Sequence, residues 1–417
     1  MRLLVTHNNF PAQFRHVCEY LGRSPGNKVV FATKNPRKEW VIPGVDKLIF
    51  TPDGQRSEND YGPGRTFDEA TRHGVGLLRA LVALKKKGFV PDVILGHSGW
   101  GQTLFLQEVY PDTPFIGYFE WYYNARGREA TFDKREKSEF DNSLLRLRNT
   151  AILHDLVSCR AGLSPTNWQR SQFPVEFQSK IVQAHDGINT RYFAPYGEGL
   201  PPLDKLDIPG VDLTGAKELV TYCSRGLEPY RGFPQFYDAL PAILAERPDC
   251  HVLIVGDDRV CYSQKLPDGQ SYKQQAVERT KVDEKRVHFC GALPYGKYKE
   301  VLLASSVHVY LTWPFVLSWS FLEAMSCGCL LVGSNTDPVR EVLVHKENGL
   351  LTDFHDPRKI AGSVIYALKH QDRLAGLRQN ARRTVLDRYC LSKCLPLHLR
   401  LLNDVAQDGP RKLLKQP

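Results

Sequence analysis

The sequence predicts an α/β protein of two domains, each a parallel sheet covered by helices. Three observations indicate this. Short apolar strands alternate with longer helical stretches along the whole chain. The 417 residues exceed what one hydrophobic core usually serves. Residues 189–215 contain four prolines and four glycines with little periodicity, which is typical of a connection between domains.

Each half contains enough predicted strands for a sheet of its own. We expect a first domain over residues 1–195, a linker over 196–216, a second domain over 217–385 and closing helices over 386–417. In the first half, strands are predicted at 2–6, 28–32, 47–50, 93–95, 115–118, 156–157, 161–164 and 181–184. In the second half, they are predicted at 218–223, 251–255, 287–289, 307–311 and 330–333.

Composition narrows the class of protein. Hydrophobic residues make up 42% and charged residues 24%, and no apolar run approaches the roughly 18 residues of a membrane-spanning helix. The N-terminal apolar segment is too short for a secretory signal, so we place the chain in the cytoplasm and leave peripheral contact at the inner face of the membrane open. The net charge of +9 suits anionic ligands, acidic lipid or nucleic acid. The ten cysteines show no metal-ligand spacing, which predicts reduced thiols and no metal.

The segment FVLSWSFLEAMSCGCLLVG, residues 315–333, predicts a buried helix followed by a buried strand. A small-residue segment that opens a helix collects free peptide N–H groups, which bind phosphate together with the helix dipole. The alternative is an ordinary amphipathic helix in which Leu322, Met325 and Cys327 are partly buried and Glu323 is solvated.

The segment SRGLEPYRGF follows the first strand of the second half and contains Arg225 and Arg231. Ligands of doubly wound sheets bind beyond the carboxyl ends of the strands, and arginine suits a diphosphate because its planar fork donates in pairs. Two surface arginines on a loop are the alternative. A basic turn and a phosphate-binding helix start at the ends of one sheet would form one anion site.

These motifs, with HVLIVGDD and RVHFCGALPYGKYKEVLLASSVHVYLTWP between them, resemble the C-terminal domain of glycosyltransferase family 4. In the first half, PDVILGHSGWG resembles the strand of that family that ends in a cleft histidine, and AHDGINTRYFAP resembles its interdomain signature. The resemblance implies the GT-B fold, in which two Rossmann-like domains face each other across a cleft and a C-terminal helix closes back on the N-terminal domain. It also implies retaining chemistry.

The chain departs from the family pattern at two places. The family usually has two glutamates separated by seven residues, and here the second is Glu323 while Phe315 stands in the place of the first. The family also usually has an arginine followed five residues later by a lysine. Gly226 and Arg231 stand at these two positions here, so Arg225 lies one residue before the position of the family arginine. The first departure bears on recognition of the donor sugar more than on binding of the nucleotide.

The resemblance assigns the donor to the second domain. Arg225 and Arg231 are expected to act in catalysis by stabilising the leaving diphosphate, and the Glu323 carboxylate to accept hydrogen bonds from the ribose. The other expected donor contacts are the amides near Leu317, Ser318 and Trp319, which would face the phosphates or the sugar, and the backbone near Phe289, Gly291 and Leu293, which would face the base.

The resemblance places the acceptor on the first domain. His97, which follows a strand and precedes two glycines, is expected beside the donor sugar as a catalytic residue. Asn8, Asn9 and Phe10 follow the first strand and are expected to form an acceptor loop. Glu120 follows another strand among aromatic residues, where an acceptor contact and a structural hydrogen bond are equally open.

Together these features predict a hexosyltransferase that moves a sugar from a UDP- or GDP-sugar to a glycan, glycolipid or small-molecule acceptor. Cell-surface polysaccharide, lipopolysaccharide or glycolipid synthesis is the expected role, with no metal, no cofactor and no nucleic acid. One alternative is a sugar-nucleotide epimerase or a phosphorylase with the same fold. The other is a non-catalytic protein that binds anions or nucleic acid, for which basic and aromatic residues should gather on one surface.

Overall fold

The structure is a computed structural model that describes residues 1–54, 61–133, 137–197, 200–267 and 269–408. Its strands β1 to β13 are Arg2–Thr6, Lys28–Thr33, Val45–Ile49, Val93–His97, Phe115–Tyr118, Ala161–Ser164, Ile181–Gln183, Glu218–Gly226, Cys250–Asp257, Val287–Gly291, Val307–Tyr310, Leu331–Ser334 and Leu350–Thr352. Its helices α1 to α16 are Arg15–Arg23, Arg65–Lys86, Leu106–Val109, Arg128–Thr131, Glu139–Arg148, Thr150–Ser158, Asn167–Ser171, Val175–Gln178, Phe233–Glu246, Tyr272–Arg279, Tyr295–Ala304, Trp319–Ser326, Asp337–Arg340, Pro357–Lys369, Ala375–Arg388 and Leu391–Asp408.

The chain forms two compact units. Unit 1 comprises residues 1–186 and 392–417, and unit 2 comprises residues 187–391. Unit 1 contains a seven-stranded sheet in the order β3-β2-β1-β4-β5-β6-β7, and unit 2 a six-stranded sheet in the order β10-β9-β8-β11-β12-β13. All the strand pairs within these sheets are parallel. The predicted α/β fold with two Rossmann-like domains is therefore confirmed.

The central strands of the unit 1 sheet, such as β1 and β4, are buried on both faces, which is why they are nearly continuous apolar runs. Leu3 and Val5 face a hydrophobic cluster that includes Leu402 of α16. Leu4, one residue out of phase, faces the opposite cluster with Leu77 of α2. The last helix of the chain thus completes the core of unit 1, as expected for a helix that closes back on the N-terminal domain.

In unit 2, α12 is buried from Phe321 to Ser326 and supplies apolar side chains to the core. Phe321, Leu322 and Met325 are fully buried in one cluster with Leu219 of β8. This confirms the buried helix predicted in the segment 315–333, and β12 confirms the strand that follows it.

One predicted strand was wrong and one strand was missed. Residues 156–157 lie in α6, where Leu156 is buried one turn after Ile152 while Val157 is 59% exposed, so a helical apolar face resembled a short strand. The edge strand β13 was not predicted because three residues carry too little periodic signal.

The unit boundaries differ from the predicted ones. The division falls between residues 186 and 187 rather than near 195, and again between 391 and 392 rather than near 386. The predicted linker belongs to unit 2, because Ile208 and Leu213 are buried in its core. Its many prolines and polar residues reflect an irregular segment anchored by a few apolar side chains.

Each sheet has one place where the strand order reverses direction. In unit 1 it lies between β1 and β4, and in unit 2 it lies between β8 and β11. Chain connections leave these neighbouring strands on opposite faces, so a crevice opens beyond their carboxyl ends. The side chains that follow these four strands are therefore the first to consider as ligands.

Candidate functional site

Arg231 is placed by a tight turn after β8. A 3-10 turn over Pro229–Arg231 ends at Gly232, which has φ 66°. A Cβ at Gly232 would lie 2.5 Å from Cβ of Leu311, so only glycine fits this approach to the residue that follows β11. The turn thus brings Arg231 to the end of the neighbouring strand.

The Arg231 guanidinium is 6% exposed and is bound to residues around the end of β11. Its Nη1 donates to the Tyr310 hydroxyl at 3.1 Å, to Thr312 Oγ1 at 2.8 Å and to the Val316 carbonyl at 3.0 Å. Burial alone would lower the pKa of Arg231, but the surrounding tyrosine and glutamate groups raise it overall. The buried group therefore stays positively charged.

Arg225, at the end of β8, is exposed and makes no hydrogen bond or ion pair with any described residue. It lines a cavity of about 30 Å³ together with Arg231, Ser318 and Ser320. The structure thus brings together the two arginines and the start of α12, as the sequence led us to expect. Two cations and a helix N-terminus at one cavity favour an anionic ligand.

The start of α12 differs in detail from what we expected. Ser318 caps the helix by accepting a hydrogen bond from the Ser320 amide at 3.3 Å. The Ser318 amide, expected to face a phosphate, instead donates to the Tyr310 hydroxyl at 2.9 Å. The Leu317 amide donates to no described residue, whereas its side chain is buried in the core. Trp319 lies on the surface with 40% of its side chain exposed.

Glu323 is buried, with 5% of its surface exposed, so the alternative that it is solvated is wrong. Its Oε1 accepts a hydrogen bond from Tyr295 and its Oε2 accepts one from Tyr298 at 2.9 Å. Burial raises the pKa of Glu323, although both tyrosine hydroxyls act to lower it. A carboxylate has about four lone-pair positions, so two further hydrogen bonds can be accepted.

Phe289, Gly291 and Leu293 lie at and after the end of β10. The Phe289 ring packs against the rings of α9, with the centroid of Tyr237 at 6.0 Å, and Lys273 Nζ covers it at 4.2 Å. Leu293 packs against the core, and Gly291 has φ +62°. Because these side chains are engaged elsewhere, recognition of a base here stays a prediction about backbone groups only.

Phe315, which we predicted to replace a glutamate of the pattern that the sequence resembles, belongs to an aromatic cluster. Its ring lies edge-on at 5.4 Å from both Tyr230 and Tyr262. The Tyr230 ring stacks on Trp313 at 4.3 Å. The Phe315 side chain thus takes part in aromatic packing, and its correspondence to a family glutamate stays a prediction.

In unit 1, the register Thr6↔Gly96 between β1 and β4 places His7 next to His97, with ring centroids 4.8 Å apart. His97 is 3% exposed and its ring stacks on Trp100 at 4.1 Å. Neither ring nitrogen of His97 makes a hydrogen bond with a described residue. Buried polar groups are nearly always bonded, so Nδ1, which has no ion-pair contact with a described residue either, indicates a position where a ligand could bind.

Glu120 lies beside His97, with its Oε2 3.4 Å from His97 Nε2. Its Oε1 accepts a hydrogen bond from Gln13 Nε2 at 3.1 Å, and its carbonyl accepts one from Gln169. The structure therefore brings together His97 and Glu120 at the ends of β4 and β5.

Asp155 of α6 holds the loop that follows His97. Its Oδ2 accepts hydrogen bonds from Ser98 Oγ and Thr103 Oγ1, each at 2.6 Å. Burial raises the pKa of Asp155 to about 7, and the hydrogen bonds from Ser98 and Thr103 oppose this rise. This carboxyl group is thus partly protonated near neutral pH.

The three residues of the predicted acceptor loop lie in different environments, and their contact with an acceptor stays a prediction. Asn8 is buried and its Oδ1 has no hydrogen-bond partner within the described ranges, as a ligand-facing group would. Asn9 Oδ1 accepts a hydrogen bond from Asn35 at 2.8 Å. Phe10 does not line an edge, since it is 1% exposed and packs against Phe31 in the core. The apolar ring is more stable there than in contact with water.

Sequence reasoning missed several residues of both sites. Tyr295 and Tyr298 are separated by three residues on α11, which puts both hydroxyls on one helix face and could have been noticed. His7 directly follows a buried strand and gave the same signal as His97. Tyr310 had no such signal, because it reads as a core residue of β11 and only the fold brings its hydroxyl to Arg231.

Comparison with known proteins identifies the family. Residues 25–193 match the family described as glycosyl transferase family 4 group, and residues 207–384 match glycosyl transferases group 1. The chain belongs to glycosyltransferase family 4. The two matches cover both units, so the prediction of a hexosyltransferase-type enzyme is confirmed at the level of the family.

Individual relatives of this family 4 chain are distant. N-acetyl-alpha-D-glucosaminyl L-malate synthase of Bacillus anthracis is 26% identical over 125 residues, which are 30% of this chain and 32% of that protein. The alignment thus spans about a third of the relative. Anabaena Alr3699/HepE in complex with UDP and glucose has a TM-score of 0.69 at 15% identity, covering 97% of this chain and 100% of the other. Sucrose-phosphate synthase from Thermosynechococcus elongatus has a TM-score of 0.72 at 16% identity, covering 98% and 100%. These structures show the GT-B fold.

The described part of the chain contains no helix that is both long and apolar enough to cross a bilayer.

Proposed function

We propose that this family 4 protein is a retaining glycosyltransferase that moves a sugar from a nucleoside diphosphate sugar to an acceptor hydroxyl. The observation that supports it most is the cavity where Arg225, Arg231 and the start of α12 meet at the carboxyl ends of β8 and β11. Such an arrangement suits a diphosphate, since one cation held in place, Arg231, and one exposed cation, Arg225, oppose its charge.

The donor is a UDP- or GDP-sugar. A related fold has been seen with UDP and glucose, which supports a uridine nucleotide as the first choice. Glu323 accepts hydrogen bonds from the ribose hydroxyls. It does so through the lone pairs that are not bonded to Tyr295 and Tyr298, or in place of the hydrogen bond from Tyr295. Backbone groups between Phe289 and Leu293 contact the base.

In the reaction, the acceptor oxygen forms a bond to the anomeric carbon of the donor while the bond from that carbon to the diphosphate oxygen breaks. The electron pair leaves with the diphosphate, and the acceptor proton passes to a departing phosphate oxygen on the same face. The growing negative charge is stabilised by Arg225 and Arg231, so we propose that no metal is needed for this step.

The acceptor is assigned to unit 1. Asn8 Oδ1 and His97 Nδ1 are buried without a hydrogen bond to any described residue, and Glu120 Oε2 lies 3.4 Å from His97 Nε2. An acceptor rich in hydroxyl groups would satisfy such atoms. We favour a glycan or glycolipid of the cell surface, made in the cytoplasm or at the inner face of the membrane, over a small-molecule acceptor. Nucleic acid is not among the proposed partners.

The test is a thermal-shift screen of UDP- and GDP-sugars. A donor at a hundred times its dissociation constant should stabilise the protein by roughly 2.7 kcal/mol. The donor that binds is then incubated with glycan acceptors, and the anomeric configuration of the product is determined by NMR. Failure of every nucleoside diphosphate sugar to bind would contradict the proposal, and isomerised sugar formed from the donor alone would indicate an epimerase.

A further inference from the structure

A buried carboxylate lies in the turn that carries Arg231. Glu228, in the turn between β8 and α9, is 0% exposed. Its carboxylate accepts hydrogen bonds from three consecutive backbone amides, at 3.0 Å from Cys261, 2.9 Å from Tyr262 and 2.8 Å from Ser263. A charge so deeply buried is tolerated only when several donors compensate it, which these amides do.

The three amides belong to an irregular segment of unit 2, residues 258–263, which follows β9. The same segment is tied to the turn a second time, since Ser263 Oγ accepts a hydrogen bond from the Tyr230 amide at 3.2 Å. Glu228 therefore fixes the path of a surface segment that has no helix or strand of its own.

This contact determines the position of Tyr262. The Tyr262 ring lies 5.1 Å from the guanidinium carbon of Arg231, in a cation-π contact, and it lines the cavity that Arg225 and Arg231 share. Arg231 Nη1 is held from the side of β11. The ring covers the guanidinium from another side, so Arg231 is confined to one orientation.

We propose that Glu228 is a positioning residue of the diphosphate site: by holding amides 261–263 it sets Tyr262 against Arg231 and fixes the guanidinium that meets the donor phosphates. The inference rests on the proposed function, because the ligand is the diphosphate of the donor. Glu228 acts on Arg231 through the position of Tyr262, and its negative charge also favours the charged form of the guanidinium.

The test compares Glu228→Gln with Glu218→Gln. Glu218 is a matched control because it is also a buried carboxylate, 8% exposed, but it begins β8 and pairs with Arg247 at 2.9 Å at the opposite end of the strand. Binding of UDP, inorganic pyrophosphate and uridine is measured by calorimetry, and thermal unfolding is recorded for each variant.

We expect Glu228→Gln to weaken binding of UDP and pyrophosphate by roughly tenfold to a hundredfold, the effect of misplacing a charged hydrogen-bond donor, while uridine binding is unchanged. Glu218→Gln should lower the unfolding temperature and leave UDP affinity as in the wild type. Equal UDP affinity in Glu228→Gln and wild type, or equal losses in both variants, would overturn the inference.

A second pair of variants keeps the test decisive if Glu228→Gln does not fold. Tyr262 is 38% exposed, so substitutions there should leave the fold intact. Tyr262→Phe loses the hydroxyl that is hydrogen-bonded to Arg231 and should bind pyrophosphate more weakly than the wild type, and Tyr262→Leu, which also lacks the aromatic ring, should bind it more weakly still, by several-fold. Wild-type affinity for pyrophosphate in both variants would refute the role of Tyr262. If the wild type binds neither UDP nor pyrophosphate, the proposed function itself fails.

Discussion

The polar groups at the carboxyl ends of the two sheets differ in how completely they are hydrogen-bonded within the protein. In unit 2, Arg231 has three hydrogen-bond acceptors and both oxygens of Glu323 have tyrosine donors. In unit 1, the ring nitrogens of His97 and Oδ1 of Asn8 are buried without a hydrogen bond inside the described ranges. Unit 2 is thus organised before a ligand arrives, as suits a diphosphate common to all donors, while unit 1 leaves groups for a ligand to satisfy.

The largest effect is expected at Arg231. Arg231→Ala should lower kcat/KM by roughly a hundredfold to a thousandfold, because a preorganised charge opposite the leaving diphosphate is lost. The measurement is initial rate against donor concentration. Arg247→Ala is the control, since it removes a cation at the other end of β8. Near-normal turnover in Arg231→Ala would remove the distinction between the two sheet ends.

A smaller loss is expected at His97. His97→Ala should lower kcat by roughly tenfold to a hundredfold, because one or two polar contacts to the reacting sugars are lost. The affinity for UDP should stay constant. His398→Ala is the control, because that buried histidine of the same unit binds the His185 carbonyl. A parallel loss of UDP affinity in His97→Ala would contradict the assignment of unit 1 to the acceptor.

The pH dependence of stability should be affected by Asp155. Its pKa is about 7 in the folded chain and near 4 when unfolded, so between these values the folded state holds a proton that the unfolded state has released. The free energy of unfolding should therefore fall as pH rises from 4 to 7, by at most about 1.4 kcal/mol per pH unit. Asp155→Asn should flatten this part of the profile in thermal unfolding, and an unchanged slope would contradict it.

The smallest effect is expected at Tyr295, which is 50% exposed and occupies one oxygen of Glu323. Tyr295→Phe should strengthen UDP binding by roughly twofold to tenfold, because the ribose no longer competes with the tyrosine hydroxyl. Pyrophosphate, which has no ribose, should bind equally to both proteins in calorimetry. A weaker affinity for UDP in Tyr295→Phe would show that this hydroxyl supports the ligand.

The sequence allowed prediction of features that depend on local pattern. Buried parallel strands are apolar runs, so most of the strands were found, and glycines and arginines after strand ends indicated the anion site. Arg225, Arg231 and the start of α12 could be brought together from topology alone, because the carboxyl ends of β8 and β11 share one edge.

What could not be predicted depends on contacts between distant residues. The hydrogen bond from the Ser318 amide to the Tyr310 hydroxyl and the four bonds from the 261–263 amides to Glu228 have no signature in either segment. Phe10 was misplaced because the residue after a strand end can point into the core or into the crevice, and the pattern does not distinguish these.

The diphosphate site is tested most directly by calorimetric titration of the wild-type protein with UDP and with uridine. If the two arginines and the start of α12 form a diphosphate site, UDP should bind at least about a hundredfold more tightly than uridine, equivalent to about 2.7 kcal/mol. Equal affinity for the two compounds, or no binding of UDP at millimolar concentration, would contradict a diphosphate site at the ends of β8 and β11.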